Sequence, residues 1–513
     1  MEFIIRKFDQ FKLIFFNKAE RDFVNLKHLK KIDKKNNKIV LVEIGLDIYF
    51  LVHFYFLLKE RKFRNNKFVG LWINPMRMRR SGFLGTIAFL FQCLVQYLIK
   101  LKWKKIYKCL GFNSFIDLSN NFKDSIFISN SNFVKSCKSI KKKEDILKLK
   151  YQGIKIGDLI YDHYLRFKGD VKFNINDLRS TKILLNMIEG ANNNLNNFYF
   201  KNKNKIEYYV PQKAFYINGF AIRYFLNKNI KTIGGIENIK YVKKFTKKDY
   251  LAGTRSQDLK KKFKKLKNKT RKISSAKKYL KEKFDGKINM EFRYMRQSTF
   301  SKNLNSKIKK TFDGVIFLPD FSDAPHIYGD LVFNDYSDWI EETLKFLKEK
   351  NISIAIKKHP NTWVFSSKKY NEEIKEKYNN LIWLDKDISN NEIFKKKPKF
   401  GISPFGTVLH ELAYHKIIPI AVGANPHMAY DFVFTPKNKN DYFNFINKAI
   451  KGKLKLKNNV RDKIAECYYM YHLHNDDYFK NRSRDLQLQN YLPAIGVRSI
   501  EILEKFNKGD FNK

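Results

Sequence analysis

The sequence alternates short apolar runs with longer segments of helical periodicity, and this alternation most constrains the fold. In the first half, residues 38–44 and 68–73 have the composition of strands, and residues 46–59 and 84–110 have that of helices. Strands joined by helices predict a parallel sheet. We expect further strands at 155–160, 206–210 and 230–233, and a helix at 212–227.

The same alternation returns in the second half, where it is clearer. Right-handed strand–helix–strand connections produce a doubly wound parallel sheet, and its ligands bind beyond the carboxyl ends of the strands. The loops expected to bind a ligand are therefore those that follow strands. The predicted strands are 314–318, 353–357, 381–384, 400–403 and 417–422, and the predicted helices are 336–349, 390–396 and 407–415.

A chain of 513 residues is too long for one hydrophobic core, so two or three domains are expected. We predict a first domain at 1–290, a second at 291–490 and a C-terminal helix at 491–513. Within the first domain, the Lys-rich segment 240–283 is predicted to be a solvated helix or exposed insertion. The alternative is a basic patch for lipid headgroups or an anionic glycan.

The formal net charge of +52 attracts nucleic acid and anionic lipid alike. Lys, Asn, Phe, Ile and Tyr are abundant together, and A/T-rich codons encode all five, so genome composition explains much of the excess. The remaining expectation is a protein that rests on an acidic membrane surface or handles anionic substrates. The apolar stretches 41–58 and 83–101 both contain polar residues, which favours core helices over membrane spans and leaves interfacial contact as an alternative.

The four cysteines have no CxxC spacing, which indicates a reducing compartment. The N-terminus lacks the order of charged, apolar and small residues found in a secretory signal. We therefore expect a cytoplasmic protein, peripheral on the inner face of the plasma membrane where the basic charge holds it.

Two loops of the second half contain groups suited to phosphate. His359, Pro360 and Asn361 follow a predicted strand, although a surface turn would look the same. Ser403 to Thr407 follow another strand and precede a helix, whose free N–H groups attract anions. Gly406 lets the backbone approach an anion closely, and the alternative is ordinary helix capping.

The blocks Lys357 to Asn361 and Ser403 to Glu411, together with Ile418-Pro419-Ile420 and Gly423-Ala424-Asn425-Pro426-His427, resemble the donor-binding half of two-domain GT-B glycosyltransferases. The likeness is greatest to capsular-polysaccharide and lipopolysaccharide biosynthesis proteins, including transferases of the Kdo type. Bacterial sialyltransferases and wall teichoic acid glycerophosphotransferases are more distant. The resemblance covers roughly residues 150 to 435 of this chain and is strongest after residue 310.

The resemblance implies two Rossmann-type domains facing a cleft. It also implies transfer of a sugar from a nucleotide-activated donor, with CMP-linked sugars among the candidates, to a glycan or lipid-linked acceptor. It implies phosphate contacts at His359, Ser403 and Thr407, and a ribose contact at Glu411. Such enzymes work without a bound metal, so no metal or other cofactor is expected. Pro360, Asn361 and Gly406 complete the expected donor site.

Carboxylates elsewhere are candidates for the base that deprotonates the acceptor. Asp320 and Asp323 follow the first strand of the second domain, and His326 in the same loop is a candidate donor contact. Simple loop hydrogen bonds are the alternative role for both aspartates. Asp158, in the first domain, is a further candidate base.

Two other functions remain open. A nucleotide-sugar 2-epimerase shares this fold, but it should have a Ser-Gly-Gly loop where this chain has Ser403-Pro404-Phe405-Gly406-Thr407. A non-catalytic polyanion- or nucleic-acid-binding protein would explain the charge, but the sequence contains no zinc-finger, RNP or basic-zipper motif.

Overall fold

The computed structural model separates the chain into two units. Unit 1 contains residues 1–168, 174–252 and 487–513, and unit 2 contains residues 169–173 and 253–486. The structure describes residues 14–16, 21, 24–25, 37–45, 66–73, 83–119, 121–212, 214–234, 243–247, 256–287, 299–300, 308–359, 365–385 and 387–474.

Unit 1 is built on a six-stranded sheet. Its strands are β1 Ile39–Ile44, β2 Lys67–Trp72, β3 Phe112–Asp117, β6 Ile206–Val210, β7 Lys231–Gly234 and β8 Lys243–Lys244, with β4 Lys150–Tyr151 and β5 Ile154–Lys155 forming a separate hairpin. The order across the sheet is β3-β2-β1-β6-β7-β8. All neighbours are parallel except β7 and β8.

Helices accompany these strands, as parallel strands require on both faces. They are α1 Phe83–Cys109, α2 Asn121–Ile126, α3 Asn132–Lys135, α4 Lys143–Leu147, α5 Gly157–His163, α6 Leu178–Asn202 and α7 Gly219–Asn227. Among the described residues, no helix is both long and apolar enough to cross a membrane.

Unit 2 contains a five-stranded, wholly parallel sheet with the order β11-β10-β9-β12-β13. The strands are β9 Gly314–Phe317, β10 Ile354–Lys357, β11 Ile382–Leu384, β12 Phe400–Ile402 and β13 Ile418–Ile420. The helices are α8 Ser256–Lys264, α9 Lys269–Phe284, α10 Tyr336–Lys348, α11 Phe365–Lys377, α12 Asn390–Lys395, α13 Val408–Tyr414, α14 Lys439–Ile450 and α15 Val460–Tyr468.

The predicted α/β class and the parallel sheets are confirmed, and most predicted strands lie within a residue or two of their predicted bounds. The strand predicted at 155–160 is wrong, because β5 ends at Lys155 and α5 begins at Gly157. Every residue of α5 is buried, so the helix has no solvent-exposed face, and its apolar residues 159–161 form an unbroken run that a buried strand would also show. The helix predicted from residue 212 begins only at Gly219, and the predicted helices 46–59 and 491–513 lie outside the described residues.

The Lys-rich segment differs most from its prediction. Its helices α8 and α9 belong to unit 2, and α9 buries Ala276 and Leu280 against Ile464 and Tyr468 of α15. Because only every third or fourth residue faces this contact, the many intervening lysines hide the apolar stripe.

Replacing Leu280 with Ala tests this placement of α9. The substitution leaves a cavity beside α15, so we expect it to lower the free energy of unfolding by about 2–5 kcal/mol. The matched control is Lys278→Ala on the exposed face of α9, which should change it by no more than about 0.5 kcal/mol. Chemical denaturation measures both, and equal stability of the two variants would contradict the packing.

His163, at the end of α5, is a buried imidazole in aromatic surroundings. Its ring centroid lies 4.3 Å from that of Phe167 and 6.2 Å from that of Tyr216. Neither ring nitrogen has a hydrogen-bond partner in the described part of the chain. Burial therefore disfavours the charged form and lowers the pKa of His163 to about 3.

Acid should consequently destabilise the protein through His163. Between pH 7 and 5 the unfolded chain takes up a proton at this residue, with a pKa of about 6.5, whereas the folded chain does not. The expected loss is about 2 kcal/mol of unfolding free energy over that interval. The His163→Phe variant should lose about 2 kcal/mol less unfolding free energy than the wild type over the same interval. Chemical denaturation at both pH values measures this difference. Parallel pH dependences of stability in the two proteins would contradict it.

Candidate functional site

The candidate site in unit 2 lies where the strand order reverses. Chain order runs outward from β9 through β10 to β11 on one side, and through β12 to β13 on the other. The loops after β9 and β12 therefore leave the sheet in opposite directions, and such a point is where doubly wound sheets bind ligands. The two loops are residues 318–335 and 403–407.

Three loops contact one another at this edge. The loop after β9 pairs with the loop after β13, since Ala424 N donates to Asp330 O at 3.1 Å and Val332 N donates to Val422 O at 3.0 Å. The Phe405 ring, in the loop after β12, lies edge-on to Tyr328 at 5.0 Å. The structure thus brings together three of the segments that the sequence singled out.

Gly423 fixes the close approach of two of these loops. Its φ is +152°, and a Cβ there would lie 2.7 Å from the Cα of Leu331. A residue with a side chain could not occupy this position without moving the backbone. Nearby, the Asn425 side chain accepts the N–H of His427 and donates to Thr435, which holds the loop after β13 in shape.

The Ser403–Thr407 loop presents backbone rather than side-chain donors. Ser403 Oγ donates to the carbonyl of Phe405 at 3.1 Å, and Thr407 Oγ1 donates to Glu411 at 2.9 Å. Within the described residues, the N–H groups of Phe405, Gly406 and Thr407 donate no hydrogen bond. Both hydroxyl hydrogens are engaged, so these N–H groups are the donors left to an anion.

Gly406 adopts a conformation that favours glycine. Its φ is +117°, and a Cβ would meet no atom within 4 Å. The space above the residue is therefore open, while the backbone itself is of a kind that side-chain-bearing residues rarely adopt. The Gly406 carbonyl lies 3.2 Å from Nε2 of His427, which ties the loop after β12 to the loop after β13.

Glu411, predicted to contact a ribose, is fully enclosed. Its carboxylate pairs with Lys283 of α9 at 2.8 Å and also accepts from Thr407 and from Asn390. Both charged side chains are at most 2% exposed. The residue therefore supports the loop from beneath, and the predicted ribose contact stays a prediction.

Two histidines complete this buried network. Lys283 Nζ lies 3.1 Å from Nε2 of His410, and Cys467 Sγ lies 3.6 Å from Nδ1 of His427. Burial, reinforced by the Lys283 charge, lowers the pKa of His410 well below its ordinary value. Burial likewise lowers the pKa of His427 to about 4, so both rings are neutral near pH 7.

The two candidate bases in the loop after β9 differ in exposure. Asp320 is buried, and its Oδ1 accepts from Ser322 and from Ser367 of α11, the latter at 2.6 Å. Asp323 is exposed, and its Oδ1 accepts the N–H of Ala324 at 3.0 Å. His326, the predicted donor contact in this loop, is buried.

His359 follows β10, the strand beside β9, and is half-buried. Pro360 and Asn361 lie outside the described residues. Lys357, the last residue of β10, is buried and donates to the carbonyls of Asp385 and Ile388. Burial lowers the pKa of Lys357 to about 8, so its ammonium form is less favoured than on a surface lysine.

Asp158 lies in unit 1, apart from the other candidates along the chain. Both of its oxygens accept from Arg223 of α7, at 2.7 and 2.6 Å, and both side chains are buried. This bidentate pair joins α5 to α7, and the Arg223 guanidinium also donates to the Lys155 carbonyl. The geometry is that of a structural ion pair.

Lys283 was not singled out from the sequence, where it is one lysine among the 102 basic residues and nothing in its immediate neighbours distinguishes it. Lys357 was noted only as the first residue of the block 357–361, without a role of its own. Gly423 was noted only as part of a motif. Its close approach to Leu331 depends on a residue about ninety positions earlier in the chain.

Comparison with models of protein families finds no match to this sequence, and comparison with curated proteins finds no significant match. The candidate site therefore stands on its own geometry.

The buried ion pair beneath the loop gives a stability prediction. Lys283→Met leaves the Glu411 carboxylate without its cation, so we expect a loss of about 3–5 kcal/mol of unfolding free energy. The control variant Lys281→Met, on the exposed side of the same helix, should leave the free energy of unfolding nearly unchanged. Adding Glu411→Met to Lys283→Met should recover part of the loss in a double-mutant cycle, and strictly additive effects would contradict the pairing.

Proposed function

We propose that this protein is a glycosyltransferase of capsular or lipopolysaccharide assembly that transfers a sugar from a nucleotide-activated donor. The observation that carries the proposal is the meeting of three loops at the strand-order reversal in unit 2. One of these loops, residues 403–407, has adjacent N–H groups that donate no hydrogen bond within the described residues. They lie beside Gly406, above which the space is open. A diphosphate or monophosphate ester is the ligand that such a group of donors suits.

In this proposal the nucleotide phosphate binds over Gly406 and accepts from the N–H groups of residues 405–407. Ser403 and Thr407 hold the loop through the hydrogen bonds of their hydroxyls to Phe405 and Glu411. His359 supplies a further donor from the neighbouring strand end. Lys283 and Glu411 keep the underlying helix α13 in place, so the donors are fixed before the ligand arrives.

Asp323 is the proposed base, because among the three candidate carboxylates it is the exposed one. It takes the proton of the acceptor hydroxyl. The hydroxyl oxygen then bonds to the anomeric carbon while the bond from that carbon to the phosphate oxygen breaks. Asp320, held by Ser322 and Ser367, would position the loop that carries Asp323.

The acceptor in this proposal is a glycan or lipid-linked glycan bound by unit 1. A groove beside β3 and α6 supports a hydroxyl-rich ligand, since amides and carboxylates pair well with hydroxyl groups. Its lining includes Asp117, Asp124, Glu189, Asn193, Asn194 and Asn197. We place the activity in the cytoplasm, where nucleotide-activated sugars are used.

Nucleotide binding tests the proposal directly. We expect one of CMP, CDP, UDP and GDP to bind by calorimetry and to raise the unfolding temperature. Gly406→Asp puts a carboxylate into the phosphate position and should weaken binding by about tenfold or more. Gly406→Asn has the same shape and the same backbone strain without the charge, and it should bind more tightly than the Asp variant.

His359→Ala should also weaken binding without lowering the unfolding temperature of the free protein. Equal affinity of the Asp and Asn variants at position 406 would contradict phosphate binding there. If no nucleotide binds but RNA does, in a salt-dependent way, the polyanion-binding alternative replaces the transferase. Epimerisation of a bound nucleotide sugar without any acceptor would instead favour the 2-epimerase.

A further inference from the structure

The long helix α1 of unit 1 is apolar on two opposite faces. One face packs into the core through Phe89, Val95, Ile99 and Ile106, all of which are buried. The other face is exposed, with Phe83 at 80% and Leu94 and Tyr97 at 55% each. A helix that merely covers a sheet needs only one apolar face.

The exposed residues form one continuous stripe. Apart from the adjacent pair Leu90 and Phe91, they recur at intervals of three or four, which places them on one side of the helix over about 27 Å. Large apolar side chains that are exposed in this way mark an interaction surface. The stripe consists of Phe83, Ile87, Leu90, Phe91, Leu94, Tyr97 and Leu101.

The same stripe becomes basic at its C-terminal end. Lys105 and Lys108 are exposed and continue the spacing beyond Leu101. The 27 residues of α1 include five lysines and no aspartate or glutamate. An apolar face that ends in basic residues suits a surface with an apolar interior and an anionic boundary.

We propose that this face of α1 lies in the interface of an anionic lipid bilayer and docks the protein there. A second copy of the chain is a poorer occupant, because it would bring another net charge of +52 against Lys105 and Lys108. The buried face anchors the helix to β3, where the ring of Tyr107 lies edge-on to that of Phe112 at 5.3 Å, so α1 lies along the membrane instead of entering it. This inference does not depend on nucleotide binding by unit 2.

The test is co-sedimentation of the full chain with lipid vesicles. We expect binding to vesicles of phosphatidylcholine mixed with phosphatidylglycerol, and at least about tenfold weaker binding to phosphatidylcholine alone. Phe91→Glu with Leu94→Glu should reduce binding to the anionic vesicles by at least about tenfold. The matched control is Phe200→Glu, which changes an exposed phenylalanine of α6 in the same unit and should leave binding unchanged.

A second variant reports the contact itself. Tyr97→Trp places a fluorophore in the stripe, and its emission should shift to shorter wavelength and be quenched by brominated lipid when vesicles are added. Circular dichroism and unfolding temperature establish that each variant is folded. Lys105→Glu with Lys108→Glu should lower the affinity for anionic vesicles by at least about tenfold and make it less sensitive to salt.

Three results would overturn the proposal. The first is a wild-type protein that stays in solution with both kinds of vesicle. The second is vesicle binding that Phe91→Glu with Leu94→Glu leaves unchanged. The third is self-association in ultracentrifugation that this double variant abolishes, with no vesicle binding, which would assign the face to contacts between copies of the chain.

Discussion

Parallel strands impose the constraint on which both units depend. Such strands are buried on both faces and need a helical connection between each neighbouring pair, so a chain that forms them must alternate strand and helix. Their carboxyl ends then meet at one edge, where the connecting loops begin. In unit 2 this constraint brings together loops that are about a hundred residues apart in the chain, from Leu318 to His427.

The loops at that edge are held by a buried polar network that belongs to the helices beneath them. Lys283 reaches Glu411 and His410 from α9, and Glu411 in turn accepts from Thr407 at the start of α13. A buried ion pair is expensive to break, since the remaining charge has no water to solvate it. The Lys-rich segment, which could be taken for a surface insertion, therefore contributes the cation that fixes the candidate phosphate loop.

Charge in this protein serves different purposes at different depths. Lys283 and Lys357 are buried and bonded to groups of the fold, and Arg223 is bonded to both oxygens of Asp158. Lys105 and Lys108 lie on the surface and continue an apolar stripe. The net charge of +52 alone says nothing of these differences, because it counts each cation equally.

The sequence by itself determined the α/β class, most strands and the loops that follow them, because apolar periodicity and strand–helix alternation are local properties. It failed at α5, which is buried on all sides and has no exposed face, and at α9, whose apolar stripe is hidden among lysines. Only the tertiary structure decided which carboxylates are enclosed. Asp158, Asp320 and Glu411 look like Asp323 in the sequence, yet their partners are Arg223, Ser367 and Lys283, each contributed by a distant segment. Burial depends on what packs across the chain, so no local pattern could have separated the exposed aspartate from the other three.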